Sequence, residues 1–102
     1  EAVRKVYVDE SLFEYIKNIV LKTRNHPQIL LGASTRASIV LLCAAKARAA
    51  ILGRDFVIPD DIKSLVFPVL NHRIILKPEA ELEGISPERI INEIIEEVEV
   101  PT

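Results

Sequence analysis

The chain has no methionine and no tryptophan, and its 102 residues include only three glycines and one cysteine. Because methionine is missing even at position 1, we expect this sequence to be a segment of a longer protein. A lone cysteine excludes an internal disulfide and is typical of a reducing compartment, so we expect a cytoplasmic protein. Aromatic residues are only 5% of the chain and hydrophobic residues 49%, so the core must be built from aliphatic side chains. At this length we expect one domain with a single modest core.

Several kinds of site and segment are also missing from the sequence. No apolar run is long enough to span a bilayer and no signal peptide is visible, so we expect no membrane insertion. There is no glycine-rich phosphate-binding loop, and no strand-like run ends in paired acids that could hold magnesium. His26 and His72 lack metal-ligand spacing to Cys43, so we expect no metal site and interpret Cys43 as a small buried hydrophobe. The chain should therefore contain no complete catalytic site of its own.

Charge is distributed unevenly along the chain. Residues 1–78 hold 12 Lys or Arg and 7 Asp or Glu, whereas residues 79–102 hold 1 and 8, and the net charge is −2. The acidic end is typical of a solvated helix face. The whole chain lacks the strong positive field of a DNA-binding module, so we expect no nucleic-acid partner.

Hydrophobic periodicity predicts a mainly α domain with four helices and a short two-stranded β element. Asp9 caps the first helix, which ends near Asn25 and is followed by a loop over residues 25–33. A second, alanine-rich helix runs over residues 35–52 and ends at Gly53. Because this helix is apolar around most of its circumference, we expect it to lie at the centre of the domain.

The remaining elements are predicted from prolines and alternation. Pro59 begins the third helix, and Asp60 and Asp61 suit its positively polarised start better than they suit a metal site. Pro68 should kink this helix or tighten its last stretch. Ser86 caps the last helix. The other segments are an arm at Val3–Val8, extended residues at 55–58, a strand at 73–76 that we expect to pair near Phe56, and an acidic loop at 77–85. The predicted buried stripes are Leu12, Ile16, Ile19, Val20 and Thr23; Ile62, Leu65, Val66, Val69 and Leu70; and Ile90, Ile91, Ile94, Ile95 and Val98.

The start of the second helix contains the most informative pattern in the sequence. Ser34 is a good N-cap residue, because its hydroxyl can accept a hydrogen bond from an unpaired backbone N–H group. Arg36 then lies in the first turn, where the helix dipole disfavours a cation by about 0.3–1 kcal/mol. Either Arg36 points sideways to an acid or to water, or an anion lies in front of the helix and binds both the guanidinium and the free N–H groups. The spacing alone leaves both interpretations open.

Five segments of the chain form an ordered set of motifs: Thr23–Pro27, Gly32–Ala37, Ala44–Ala49, Gly53–Ile62 and Val69–Ile74. In this order and spacing they resemble the C-terminal lid subdomain of MoxR-type AAA+ ATPases. The resemblance covers the chain from about Val8 to Pro101. In that family the arginine matching Arg36 is the sensor-2 arginine, which reaches from the lid to the phosphates of ATP. Threonine stands at position 35 where the family often has proline, and we expect no change of role.

The resemblance implies a function for the longer protein. Its nucleotide-binding core would hold ATP and Mg²⁺, residues 1–8 would be the linker from that core, and residues 1–102 would form the lid. The family also implies a homo-oligomeric ring, an unidentified client protein, and a chaperone-like role in complex assembly or cofactor insertion. The chain alone should neither bind these cofactors nor hydrolyse ATP.

The resemblance also assigns candidate site residues. Arg36 is the catalytic candidate, and Arg36, Ser34, Thr35 and Arg24 are the cofactor-binding candidates. Arg54 is expected to pair with Asp55 or another nearby acid, although lid arginines such as Arg54 and Arg73 can also contact a neighbouring subunit. The alternative is a stand-alone helical interaction domain or a histone-like DNA-binding domain, against which the negative net charge counts.

Overall fold

The computed structural model describes residues 6–101, which form five helices and a two-stranded antiparallel sheet. The mainly helical fold class is therefore confirmed, while half of the predicted arm, Val3–Lys5, lies outside the described residues. None of the helices within this range is long and apolar enough to cross a membrane. The elements are α1 (Glu10–Asn25), β1 (Ile29–Leu31), α2 (Thr35–Ile51), α3 (Pro59–Leu70), β2 (Ile75–Leu76), α4 (Pro78–Leu82) and α5 (Pro87–Glu97).

The first and last helices form as their sequences predict. The Asp9 carboxylate caps α1 by accepting a hydrogen bond from the Ser11 backbone N–H at 3.1 Å. Ser86 likewise caps α5, accepting from the Arg89 N–H at 3.2 Å. Both helices turn their predicted apolar stripes inward, and α1 packs against α2 and α5. Six of the largest fully buried side chains come from these two helices: Tyr15, Ile19, Thr23, Ile90, Ile91 and Ile94.

The packing of α2 is more one-sided than predicted. Its buried residues are Ala37, Leu41, Ala45 and Ala49, a single strip that packs against α1 and α3. Small side chains let these helices approach closely, and the flanking residues Val40, Leu42, Ala44 and Ala50 are only partly buried. Ile39 and Ile51 are exposed, and Cys43 is exposed too, so the prediction of a buried Cys43 is wrong. A helix that is apolar all round does not reveal from its sequence which side has a neighbour.

The sheet pairs different segments from those predicted. β2 lies antiparallel to β1, with Ile29 opposite Leu76, so the predicted loop at residues 25–33 contains a strand. The segment around Phe56 instead forms one parallel bridge with Tyr7. A two-residue strand has too little side-chain pattern to specify its partner, which explains why this prediction was wrong.

One proline-containing segment differs in detail from the prediction, whereas α3 contains Pro68 as predicted. The expected acidic loop at residues 77–85 contains the short helix α4, whose first residue is Pro78. Proline is favoured at a first helical position because its missing N–H would be unpaired there in any case. In α3 the helix continues through Pro68 as far as Leu70.

Candidate functional site

The start of α2 is fixed against the end of α1 by a buried threonine. The Thr23 hydroxyl donates to the Val20 carbonyl at 2.6 Å and accepts from the Ala33 N–H at 3.0 Å. Thr23 is fully buried, and these two bonds satisfy its hydroxyl. The backbone just before α2 is therefore tied to the last turns of α1. Our sequence interpretation placed Thr23 in the buried stripe but missed this contact.

Gly32 allows the same two segments to come into backbone contact. A Cβ atom at Gly32 would lie 2.7 Å from the Cα and N atoms of Arg24 and from the carbonyl carbon of Thr23. All three are backbone atoms, which cannot move aside as a side chain can. Glycine is required here for close approach, and its absent side chain helps to set where α2 begins.

Arg24 brings a second cationic side chain to this helix start. Its Nε donates to the Ala33 carbonyl at 3.0 Å, and its Nη2 lies 3.4 Å from Thr35 Oγ1. Arg24 is exposed overall, so its guanidinium contacts the loop from the solvent side. The structure thus brings together Arg24, Thr35 and the first turn of α2.

Ser34 occupies the N-cap position but does not cap. Its backbone is extended and its carbonyl accepts the Ala37 N–H at 3.0 Å, yet its side chain makes no capping hydrogen bond. The predicted hydroxyl cap is therefore wrong in its chemistry, although the helix boundary is correct. Among residues 6–101, the N–H groups of Thr35 and Arg36 also have no hydrogen-bond partner. The α2 start consequently presents unpaired donors to solvent.

Arg36 is exposed beside these donors. No Asp or Glu in the described part of the chain forms an ion pair with it. Sideways pairing with an acid is therefore not observed. A guanidinium, a positively polarised helix end and the nearby Arg24 together form a surface suited to an anion with several oxygen atoms, such as a phosphate.

A second charged cluster lies at the other end of α2, where α3 begins. Asp61 is fully buried and accepts two hydrogen bonds from Arg54, at 2.6 and 2.7 Å, and another from Arg48. It also accepts the Ile58 N–H at 2.8 Å, which caps α3. Asp61 thus lies at the centre of a buried ion cluster, in addition to being the favourable helix-start charge that we predicted. The pairing of Arg54 with a nearby acid is confirmed, and the acid is Asp61.

Two opposing effects set the pKa of Asp61. Burial alone would raise the pKa of this carboxyl, but the hydrogen bonds from Arg54, the Ile58 N–H and Arg48 outweigh burial and hold the pKa below its usual range. The hydrogen bond to Asp61 in turn raises the pKa of Arg54. The cluster is therefore ionised at neutral pH.

Arg73 and His26, two other residues considered from the sequence, make local contacts within the fold. Arg73 Nη1 donates to the Val69 carbonyl at 2.6 Å and so caps the end of α3. His26 Nδ1 accepts the Gln28 N–H at 3.1 Å, and its other ring nitrogen lies 3.8 Å from Glu93. Within the described range, no three His, Cys, Asp or Glu side chains come together as a metal site would require.

The chain is similar to several known proteins. Residues 21–94 match the family model described as the AAA lid domain. The chain is 52% identical to the protein YeaC of Bacillus subtilis over 99 residues, covering 97% of this chain and 31% of YeaC. It is 36% identical to the chaperone MoxR1 of Mycobacterium tuberculosis, covering 93% of this chain and 28% of MoxR1.

A solved structure shows the same fold. The crystal structure of a candidate ATPase from Cytophaga hutchinsonii superposes with a TM-score of 0.94 at 44% identity, covering 99% of this chain and 33% of that chain. The chain thus spans about a third of the length of the relatives that it matches. The match to the AAA lid domain decides against the alternative of a histone-like fold. This chain belongs to the AAA lid domain family, and its relatives confirm the resemblance to lids of the MoxR type.

Proposed function

We propose that the chain is the lid of a MoxR-type AAA+ ATPase, that it closes over ATP bound by the core of the same protein, and that Arg36 is its sensor-2 arginine. The observation that carries this proposal is the exposed Arg36, which has no acidic partner within residues 6–101 and lies beside unpaired helix N–H groups. A cation against a helix dipole is unfavourable unless an anion is present. The γ-phosphate of ATP supplies such an anion.

The exposed side of α2 supports contact with a further part of the protein. Ile39 and Cys43 lie three and seven positions after Arg36, so all three share one face of the helix. Ile39 is 59% exposed and Cys43 is also exposed. An apolar face beside the cationic helix end is what we expect where a lid meets a nucleotide-binding core.

The residues around Arg36 divide into two groups in this proposal. Arg36 stabilises charge that develops on the transferred phosphoryl group. Ser34 and Thr35 offer hydroxyl and backbone donors to phosphate oxygens, and Arg24 either adds a second cation or orients Thr35. Mg²⁺ would be held by the core, since the α2 start offers no carboxylates.

The assembly and cellular role follow from the same family. We propose a cytoplasmic homo-oligomeric ring in which lid movement transmits the energy of ATP hydrolysis to a client protein. A chaperone-like role in complex assembly or cofactor insertion fits this arrangement, and MoxR1 of M. tuberculosis is named a chaperone. The chain alone should not hydrolyse ATP.

The test compares Arg36→Ala and Arg36→Lys in the full-length ATPase. Loss of a donor aimed at developing charge lowers kcat by about 10²–10³-fold, and lysine should rescue only in part because it lacks the planar fork. Arg89→Ala is the matched control, because Arg89 is an exposed arginine on α5 with a 3.9 Å ion pair to Glu93. The melting temperature of all three variants should stay near that of the wild type. Normal ATP turnover by Arg36→Ala would overturn the assignment.

A further inference from the structure

The extended segment at residues 6–8 is attached to the rest of the domain along one edge of residues 55–57. The Tyr7 N–H donates to the Asp55 carbonyl at 2.8 Å, and the Val57 N–H donates to the Tyr7 carbonyl at 2.9 Å. Val6 and Val57 are both buried. The Tyr7 hydroxyl donates to Asp9, two residues further along the chain, so it does not contribute to this attachment. Two backbone hydrogen bonds and the burial of Val6 therefore hold the segment.

The opposite edge of residues 55–57 is held by Arg54. The same Nη1 that binds Asp61 also donates to the Phe56 carbonyl at 3.1 Å, and the guanidinium lies over the Phe56 ring at 5.9 Å from its centre. The Arg54 N–H is bonded to Ala49 at the end of α2, at 2.9 Å. Asp61 therefore holds in place the guanidinium that binds the opposite edge of residues 55–57.

Asp61 also fixes the downstream end of this segment. Its Oδ2 accepts both from Arg54 and from the Ile58 N–H, so one carboxylate joins the two ends of residues 54–58. The Asp61 side chain is 0% exposed, and those of Arg54 and Arg48 are 22% and 36% exposed. At such burial the members of an ion cluster act as a unit, because removal of one partner leaves the others desolvated and unpaired. The exposed Lys22–Glu97 pair, at 48% and 52%, lacks this property.

We propose that Asp61 is a positioning residue which, through Arg54, holds residues 54–57 in the shape that receives Tyr7. The Arg48–Asp61–Arg54 cluster is then the joint that sets where the N-terminal segment lies on the domain. It ties that segment to the end of α2 and to the start of α3 at the same time. The role of the segment as the linker from the ATP-binding core rests on the proposed function, whereas the joint itself does not.

Hydrogen–deuterium exchange of the full-length protein without nucleotide tests the joint. We expect Arg54→Lys to accelerate exchange of the Tyr7 and Val57 amides at least about tenfold, because an ammonium cannot replace the two-pronged bond to Asp61 and also reach Phe56. Asp61→Asn should also accelerate the exchange of the Tyr7 and Val57 amides. The control is Lys22→Gln, which removes an exposed ion pair and should leave both amides unchanged. Amides in α1 and α5 should keep their protection in Arg54→Lys.

Two results would overturn the proposal that this cluster is the joint. One is wild-type protection of Tyr7 and Val57 in Arg54→Lys. The other is equal acceleration across α1, α5 and residues 6–8, which would show general destabilisation only. ATP turnover of the same variant separates the two proposals. If exchange is accelerated only at the Tyr7 and Val57 amides and kcat is reduced, both proposals are supported. If exchange is accelerated only there and kcat is normal, the joint is supported but the linker role is overturned.

Discussion

Replacement of Gly32 by alanine should damage the domain more than replacement of any other glycine. The added Cβ would lie 2.7 Å from three backbone atoms of α1, at Thr23 and Arg24. Such a distance is too short for carbon atoms, so the loop before α2 must move away from α1. That movement also pulls the Ala33 N–H from Thr23 Oγ1, which it contacts at 3.0 Å.

The expected cost combines these two effects. Overpacking of a tight contact costs about 1–3 kcal/mol, and leaving a buried polar group unpaired costs about 1–3 kcal/mol. We therefore expect Gly32→Ala to lower the free energy of unfolding by about 2–6 kcal/mol, a large part of the roughly 5–15 kcal/mol by which a folded domain is stable. Because the loop carries the start of α2, Arg36 should be displaced as well.

Gly84→Ala provides the matched comparison. Gly84 has a φ of +79° but open space around its Cβ position, so alanine there meets strain without a clash. A left-handed alanine costs about 1–2 kcal/mol. Urea unfolding of both variants, followed by circular dichroism at 222 nm, gives the two free energies. A cost at Gly32 equal to or below that at Gly84 would refute the close-approach argument.

Three further outcomes follow from the buried and exposed groups. The pKa of Asp61 is lowered from its ordinary 3.8, so its contribution to stability is present above that value and is lost as pH falls through the lower, folded-state pKa. Asp61→Asn should therefore flatten the fall in unfolding free energy below about pH 4. If the free energy of unfolding of Asp61→Asn still falls with pH as steeply as that of the wild type, Asp61 is not the source of the fall. The Tyr15 hydroxyl is buried with no hydrogen-bond partner among residues 6–101, so Tyr15→Phe should leave urea stability unchanged or raise it by about 1 kcal/mol, and a loss above 1 kcal/mol would mean that the hydroxyl is satisfied. Cys43 is exposed, so a thiol reagent should label it in the folded chain as fast as in urea to within about tenfold, and strong protection would contradict its placement.

Local signals predicted the helices well because each boundary has its own chemistry. Asp9 and Ser86 cap α1 and α5 through side-chain oxygens, and Gly53 ends α2 with a φ of +83°. These features act within a few residues and can be read from the sequence. The strand partners could not be read in this way, because α2 and α3 lie between the two strands in the sequence and their packing decides whether Ile75–Leu76 meets β1.

The site was predicted less completely than the fold. The conflict between Arg36 and the helix dipole marked the α2 start, but nothing in the sequence indicated that Ser34 would leave its capping role unfilled. Asp61 looked like an ordinary helix-start acid, because its partners Arg48 and Arg54 meet it only through tertiary packing. Exposure of Cys43 was equally hidden, since an apolar helix can be covered on one side alone.

The central claim is that Arg36 reaches the phosphates of ATP when the lid closes. A structure of the full-length protein with a non-hydrolysable ATP analogue and Mg²⁺ tests it directly. We expect an Arg36 guanidinium nitrogen about 2.7–3.2 Å from a γ-phosphate oxygen, with the first N–H groups of α2 facing the nucleotide. A closed lid in which Arg36 points away from the nucleotide, or pairs with an acid of the core, would contradict it.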